Sequence, residues 1–189
     1  VSSSPHVRCG VSTKNLMYDV AIAMLPATIW GVMQFGIYSL IVVVATVLSC
    51  VLSEYLFETL MHKPVTISDG SALVTGMILG LNMPPAIPLW MPILGGVFAI
   101  IVVKQLYGGL GQNWMNPALA ARCFMLISFA QAMTKFTDPV TDAVASATPL
   151  AAIKAGDTYD LAAMFIGKIP GTIGEVSVIA LLIGAAYLL

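Results

Sequence analysis

The chain is expected to fold as an all-α, polytopic transmembrane helix bundle, and three observations predict it. Charged residues make up 9% and hydrophobic residues 59% of the 189 residues, whereas soluble domains carry about 25% charged residues. The apolar residues come in blocks of roughly 15 to 25, and a helix needs about 20 to span the hydrocarbon core, which leaves room for about five or six crossings. Runs such as Ile41-Val42-Val43-Val44-Ala45 lack the polar/apolar alternation of a transmembrane β-barrel strand. A net charge of -1 argues against a nucleic-acid partner and against a basic surface for anionic lipid.

In order along the chain, residues 1–15 read as a polar tail with Pro5, His6 and Arg8. The membrane part covers 16–189, with a first helix from Leu16 to Phe35. Gly36 separates it from a second, Ile37 to Met61, which stops at Glu54, Glu58, His62, Lys63 and Pro64, where charges and the proline end the span. Between Asp69 and Pro84 lie too few apolar residues for a full crossing. The small residues Gly70, Ala72, Gly76 and Gly80 predict a broken or tilted helix packed closely inside the bundle. Trp90 to Tyr107 is another span, with Lys104 near its end. Gly108 to Gly111 and Asn116-Pro117 form a turn, followed by a helix from Ala118 to Met133 that carries Arg122. Residues 134–160 are the longest polar segment. The remainder, punctuated at Gly167, Pro170, Gly171 and Gly174, leads into a last helix. The chain lacks an initial methionine and a cleavable signal, and it stops in the apolar run Tyr187-Leu188-Leu189. It is therefore expected to be part of a longer protein.

Orientation follows from charge. Arg8, Lys14, His62, Lys63, Lys104 and Arg122 fall on one side, which reads as cytoplasmic. With five crossings before it, the 134–160 loop falls on the other side, where Asp138, Asp142, Asp157 and Asp160 outnumber Lys135 and Lys154. This assignment requires the short Asp69 to Asn82 helix to belong to a full crossing.

Few residues offer chemistry. Cys9, Cys50 and Cys123 are far apart and form no metal-ligand spacing, and Cys50 and Cys123 read as small apolar helix residues. No haem-type histidine pair and no dinucleotide fingerprint is present, and Gly108 to Gly111 lacks the ending of a phosphate-binding loop. Asp19, Glu54 and Glu58 sit near helix ends and read as solvated interface residues. Asp69, Arg122 and Glu175 divide evenly between structural ion pairs or caps and roles in cofactor or ion handling, because an ionisable group in hydrocarbon must be paired or face a cavity. Trp90 and Trp114 fit an interfacial aromatic belt. The passage Asp142 to Leu150 stands apart: a polar break in which Thr148 precedes Pro149. Taken locally, Ser146, Thr148 and Pro149 would form a loop turn and helix cap.

The segments Ser3-Ser-Pro-His6, Asp69-Gly-Ser-Ala-Leu-Val-Thr-Gly76, Gly108-Gly-Leu-Gly-Gln-Asn113, Asn116-Pro117-Ala118, Ala147-Thr-Pro-Leu150 and Pro170-Gly-Thr-Ile-Gly-Glu175 occur in this order. Together they resemble the NqrB/RnfD family. Its RnfD members are membrane subunits of Rnf ion-translocating electron-transport complexes, and its NqrB members belong to a sodium-pumping NADH:quinone oxidoreductase. The short tail before Ser3 resembles the RnfD side. The resemblance implies a fold like that of ammonium and urea transporters, with an inverted repeat of which this chain supplies about six helices. It implies an FMN joined through its phosphate to the Thr148 hydroxyl by a flavin transferase, with Asp142, Ser146, Ala147 and Pro149 at positions of the acceptor segment; the residue types at Ala145 and Ser146 differ from the Ser or Thr and the Gly that the family usually has there. In this setting Arg122 is a candidate to hold the flavin phosphate or to pair with a carboxylate. A second, non-covalent flavin such as riboflavin is left open. The implied activity is ion-translocating (Na⁺ or H⁺) ferredoxin:NAD⁺ oxidoreduction by the whole complex, with the A-, B-, C-, E- and G-type Rnf subunits as partners. The implied location is the cytoplasmic (inner) membrane of a bacterium or archaeon, the flavin loop lying on its outer side. The competing reading is a solute channel of the ammonium or urea type without a redox role, since broken helices at membrane depth serve both.

Overall fold

The computed structural model describes residues 12–137, 144–145, 153–154 and 161–189. Helix α1, Thr13–Phe35, starts on Ser12, whose hydroxyl accepts from the Asn15 amide at 3.3 Å. Gly36, at φ 81°, makes the turn into α2, Ile37–Leu60. A left-handed backbone there suits the one residue without a Cβ. These helices hold 23 and 24 residues, about 35 Å each at 1.5 Å per residue, enough for the hydrocarbon core. Their packing defines two ends of the bundle. One end holds the start of α1 and the close of α2, and the other holds Gly36.

Helix α3, Ser71–Leu81, starts at the first end, where Gly70 lies beside Met17 and Tyr18. Its 11 residues cover about 16 Å, half a crossing. It runs antiparallel to α2 with backbones almost touching. A Cβ added at Gly76 would meet Val47 Cα at 2.6 Å, and one at Gly80 would meet Val43 Cα at 3.0 Å. The chain then leaves the helix at Asn82 and reaches the second end, where the Tyr38 hydroxyl donates to the Ile87 carbonyl at 2.9 Å. The segment is therefore one full crossing made of a half-helix and an irregular half, as the small-residue spacing predicts.

Helix α4, Trp90–Val97, continues as a π-helical stretch, Phe98–Lys104, and a 3₁₀ turn, Gln105–Tyr107. It lies parallel to α2, with the Ser49 hydroxyl bonded to the Ile93 carbonyl at 2.7 Å and Lys104 meeting Glu54. By length and composition, α1, α2 and the run Trp90–Tyr107 are long and apolar enough to cross a membrane. After the glycine turn, Asn116 caps α5, Pro117–Ser128, accepting from the Ala118 and Leu119 amides. The expected continuous helix from Ala118 to Met133 is broken. Phe129 leaves helical geometry (φ -132°, ψ 44°) and packs edge-on against Trp90 at 5.2 Å, so the chain resumes as a short α6, Ala130–Met133. Because Trp90 marks the second end, five crossings precede Thr134, and the long polar loop leaves from the end opposite the start of α1. Among the described residues the only strand pairing is there: β1, Phe136–Thr137, antiparallel to β2, Val144–Ala145.

Helix α7, Leu161–Ile166, returns the chain to the bundle near the end of α1, where Gln34 donates to the Gly167 carbonyl at 2.9 Å. Residues 168–177 then dip inward to the level where α3 stops. There the Ile173 amide donates to the Met83 carbonyl at 3.1 Å and the Gly174 amide to the Leu81 carbonyl at 2.8 Å. Helix α8, Val178–Leu188, capped by Ser177, runs back along α1, with Gly184 over the Ala23 carbonyl. The core joins these pieces through Val42, Val43, Leu79, Met83, Ile87 and Met125.

Candidate functional site

Thr148, Asp142, Ser146, Ala147 and Pro149 lie outside the described residues. So do Cys9 and His6. Of the expected flavin-site residues, Arg122 alone is described. It sits one turn into α5, and its Nη1 donates to Asn82 Oδ1 at 2.5 Å, while Asn82 Nδ2 donates back to the Ile78 carbonyl at 2.8 Å. Arg122 therefore secures the point where α3 breaks. It forms no carboxylate pair, since the Lys104–Glu54 contact is the one ion pair among the described residues.

That break is the first of two polar places inside the bundle. The carbonyls of Leu81 and Met83, freed when α3 ends, are satisfied by residues 173–174 from a segment some ninety positions later. Backbone that is irregular at membrane depth survives only with such partners or beside a cavity. Here both hold, because a cleft of about 430 Å³ opens between α1, the end of α3 and α8, bordered by Asn82, Thr172 and Glu175. The Thr172 hydroxyl is buried and has no hydrogen-bond partner among the described residues. Glu175 is exposed.

The second place departs from the expectation of solvated helix ends. Glu54 and Glu58 are 0% and 2% exposed. Lying four residues apart, they share one face of α2, and that face meets the close of α4. Lys104, 2% exposed, donates from Nζ to Glu54 Oε1 at 2.6 Å and to Ser71 Oγ at 2.5 Å. Gln105 Nε2 bridges Glu54 Oε1 at 2.8 Å and Glu58 Oε1 at 3.3 Å. Glu58 also accepts from the Thr66 amide and hydroxyl at 2.9 and 2.5 Å. Asp69, just before α3, accepts from the amide and hydroxyl of Ser71, its first residue, at 2.8 and 2.6 Å. The other carboxylate expected at the interface, Asp19, is half-buried and meets the Tyr187 hydroxyl at 3.4 Å. The signal for the buried pair is a lysine inside an apolar span together with two glutamates on one helix face.

The remaining expectations divide simply. Cys50 is buried, its thiol 3.9 Å from the Gly96 carbonyl, while Cys123 is exposed on α5. Trp90 and Trp114 are exposed, as an interfacial role requires. No group of metal-binding side chains occurs among the described residues.

Comparison with known proteins agrees with the resemblance read from the motifs. The chain is 47% identical over 195 residues to the D-type subunit of the Na⁺-translocating ferredoxin:NAD⁺ oxidoreductase complex of Acetobacterium woodii, covering all of this chain and 61% of that protein. It is 41% identical over 203 residues to the D-type subunit of the proton-translocating ferredoxin:NAD⁺ oxidoreductase complex of Clostridium ljungdahlii, again over all of this chain and 61% of the relative. The D-type subunit of the ion-translocating oxidoreductase complex of Rhodobacter capsulatus is 31% identical over 222 residues, covering 99% of this chain and 62% of that protein. The chain thus spans about three-fifths of the length of these relatives. The model of the NQR2, RnfD, RnfE family matches residues 1–189, and the chain belongs to that family.

Proposed function

We propose that this chain is the RnfD-type membrane subunit of an ion-translocating ferredoxin:NAD⁺ oxidoreductase complex, and that it relays electrons through an FMN held by a phosphoester to Thr148. The observation that supports this most is the family match over residues 1–189, together with relatives named as D-type subunits that align with the whole chain. FMN would supply the capacity to accept and pass on electrons. The chain's part is placement. A bond from the Thr148 hydroxyl to the flavin phosphate leaves the ring system free, so geometry at the loop replaces binding affinity and local groups tune the cofactor. Arg122 is offered as a residue of the flavin's surroundings, although its described bond is to Asn82.

Maturation would need a flavin transferase acting on the loop around Thr148, on the outer side of a cytoplasmic membrane. Ferredoxin oxidation and NAD⁺ reduction would belong to partner subunits of the complex, which would contact this chain alongside lipid. A solute channel of the ammonium or urea type shares the broken crossings, but no relative named above is a channel. The test is the assembled complex in proteoliposomes. Wild type should couple ferredoxin-dependent NAD⁺ reduction to cation uptake, and Thr148→Ala should assemble yet lose electron transfer. Full electron transfer in Thr148→Ala would overturn the relay role.

A further inference from the structure

Glu58, Asp69, Glu54 and Lys104 belong to one connected network: Glu58 to Gln105 to Glu54, and Glu54 to Lys104 to Ser71 to Asp69. It joins three carboxyl groups to a single ammonium. With every group ionised it would carry excess negative charge in a low-dielectric interior, which costs heavily unless a further cation balances it. The network also shows where that cation would sit. Glu58 and Asp69 have their bonds from Thr66 and Ser71, but Glu54 is served on one oxygen only. Its Oε1 takes both Lys104 and Gln105, while Oε2 is buried with no partner among the described residues. A bare buried carboxylate oxygen is what a proton or a small hard cation would satisfy.

Two further features bear on exchange. A cavity of about 200 Å³, with Ser71, Thr75, Lys104, Asn113 and Asn116 on its wall, reaches Lys104 from the glycine-turn side. Lys104 closes a seven-residue π-helical stretch, a rare geometry that concentrates at functional positions. Returning that stretch to α-helical register would turn Lys104 by about 100° around the helix axis, off Glu54.

We infer that Glu54 is a loading site for a monovalent cation, and that Lys104 is a tethered cation that holds the carboxylate closed until the mobile one replaces it. This rests on the reading of the chain as part of a cation-translocating complex, and it names the residues of this subunit that take part. Sodium ion and proton share the required chemistry. The groups facing Glu54 whose titration would enter a pH profile are Cys50 and Glu58 on α2, Asp69 before α3, and Lys104 at the end of the π-helical stretch.

The test uses the whole complex in proteoliposomes, with sodium uptake, proton uptake and ferredoxin-dependent NAD⁺ reduction measured together. Lys104→Arg keeps the ion pair, and the guanidinium grips a carboxylate on two prongs and stays protonated. It should assemble normally and need a several-fold higher cation concentration for half-maximal uptake. The double variant Glu54→Gln/Lys104→Gln removes both charges without leaving either unpaired. It should assemble and pass electrons while moving fewer cations per electron and losing the dependence on sodium or, for a proton site, on pH. A purely structural pair predicts wild-type cation affinity in Lys104→Arg and wild-type stoichiometry in the double variant, and either result would overturn the inference. If the double variant does not assemble, Lys104→Arg still decides. If wild type itself moves no cation, it is the functional reading that fails, not the role of this pair within it.

Discussion

The contact between α2 and α3 allows the sharpest structural prediction, because two glycines on one face of α3 permit it. A methyl group at position 76 would lie 2.6 Å from Val47 Cα, and one at position 80 would lie 3.0 Å from Val43 Cα. Carbon atoms prefer about 3.5–4.0 Å, so Gly76→Ala must push two backbones apart by about 1 Å and Gly80→Ala by about half that. Neither neighbour is a flexible side-chain end that could yield. Overpacking of this kind costs about 1–3 kcal/mol, against about 1 kcal/mol gained when alanine replaces glycine in a helix. The net at Gly76 is a loss, at Gly80 a smaller one. Gly95 is the internal control: its added Cβ would meet Met125 Cγ no closer than 3.4 Å, so Gly95→Ala should be neutral or stabilising. The assay is the thermal midpoint of the detergent-solubilised protein, followed by size-exclusion recovery after heating. The expected order of stability is Gly95→Ala, then Gly80→Ala, then Gly76→Ala. A Gly76→Ala protein as stable as Gly95→Ala would refute the close approach of α2 and α3.

Other expectations follow from single contacts. Asn116→Ala removes the oxygen that accepts from the Ala118 and Leu119 amides and should cost about 1 kcal/mol of thermal stability. Ser177→Ala should cost a similar amount at the start of α8; an unchanged midpoint would mean that α8 does not depend on that cap. In a Cys9→Ser background, an apolar maleimide should label Cys123, which is exposed, and leave Cys50, which is buried, until the protein is denatured; equal labelling rates would contradict the packing of α2 against α4. Arg122→Leu should destabilise the protein by leaving Asn82 Oδ1 without its donor, and Arg122→Lys should restore part of the loss, both read from the same thermal midpoint.

Much of this architecture is legible in the chain because local features specify it. Gly36, the small-residue spacing of Gly76 and Gly80, and Asn116 before Pro117 each announce a turn, a close approach or a cap. The half-crossing after Asp69 is legible for the same reason, since too few apolar residues lie before Pro84. What escapes is what depends on distant partners. Burial of Glu54 requires Lys104, fifty positions later, and the nearness of both glutamates to the end of α2 points to water instead. The repair of the α3 break by Ile173 and Gly174 is likewise a meeting of remote segments. The break at Phe129 depends on Trp90 lying across from it, which periodicity along one helix does not reveal.

The proposed FMN phosphoester at the Thr148 hydroxyl is tested most directly by intact-protein and peptide mass spectrometry. The protein would be produced together with a flavin transferase and compared with Thr148→Ala, with in-gel flavin fluorescence run in parallel. The expected result is the mass of FMN less one water on the peptide that contains Thr148, absent from the variant. An unmodified Thr148 beside a demonstrably active transferase would contradict the electron-relay role and turn attention to Ala145 and Ser146.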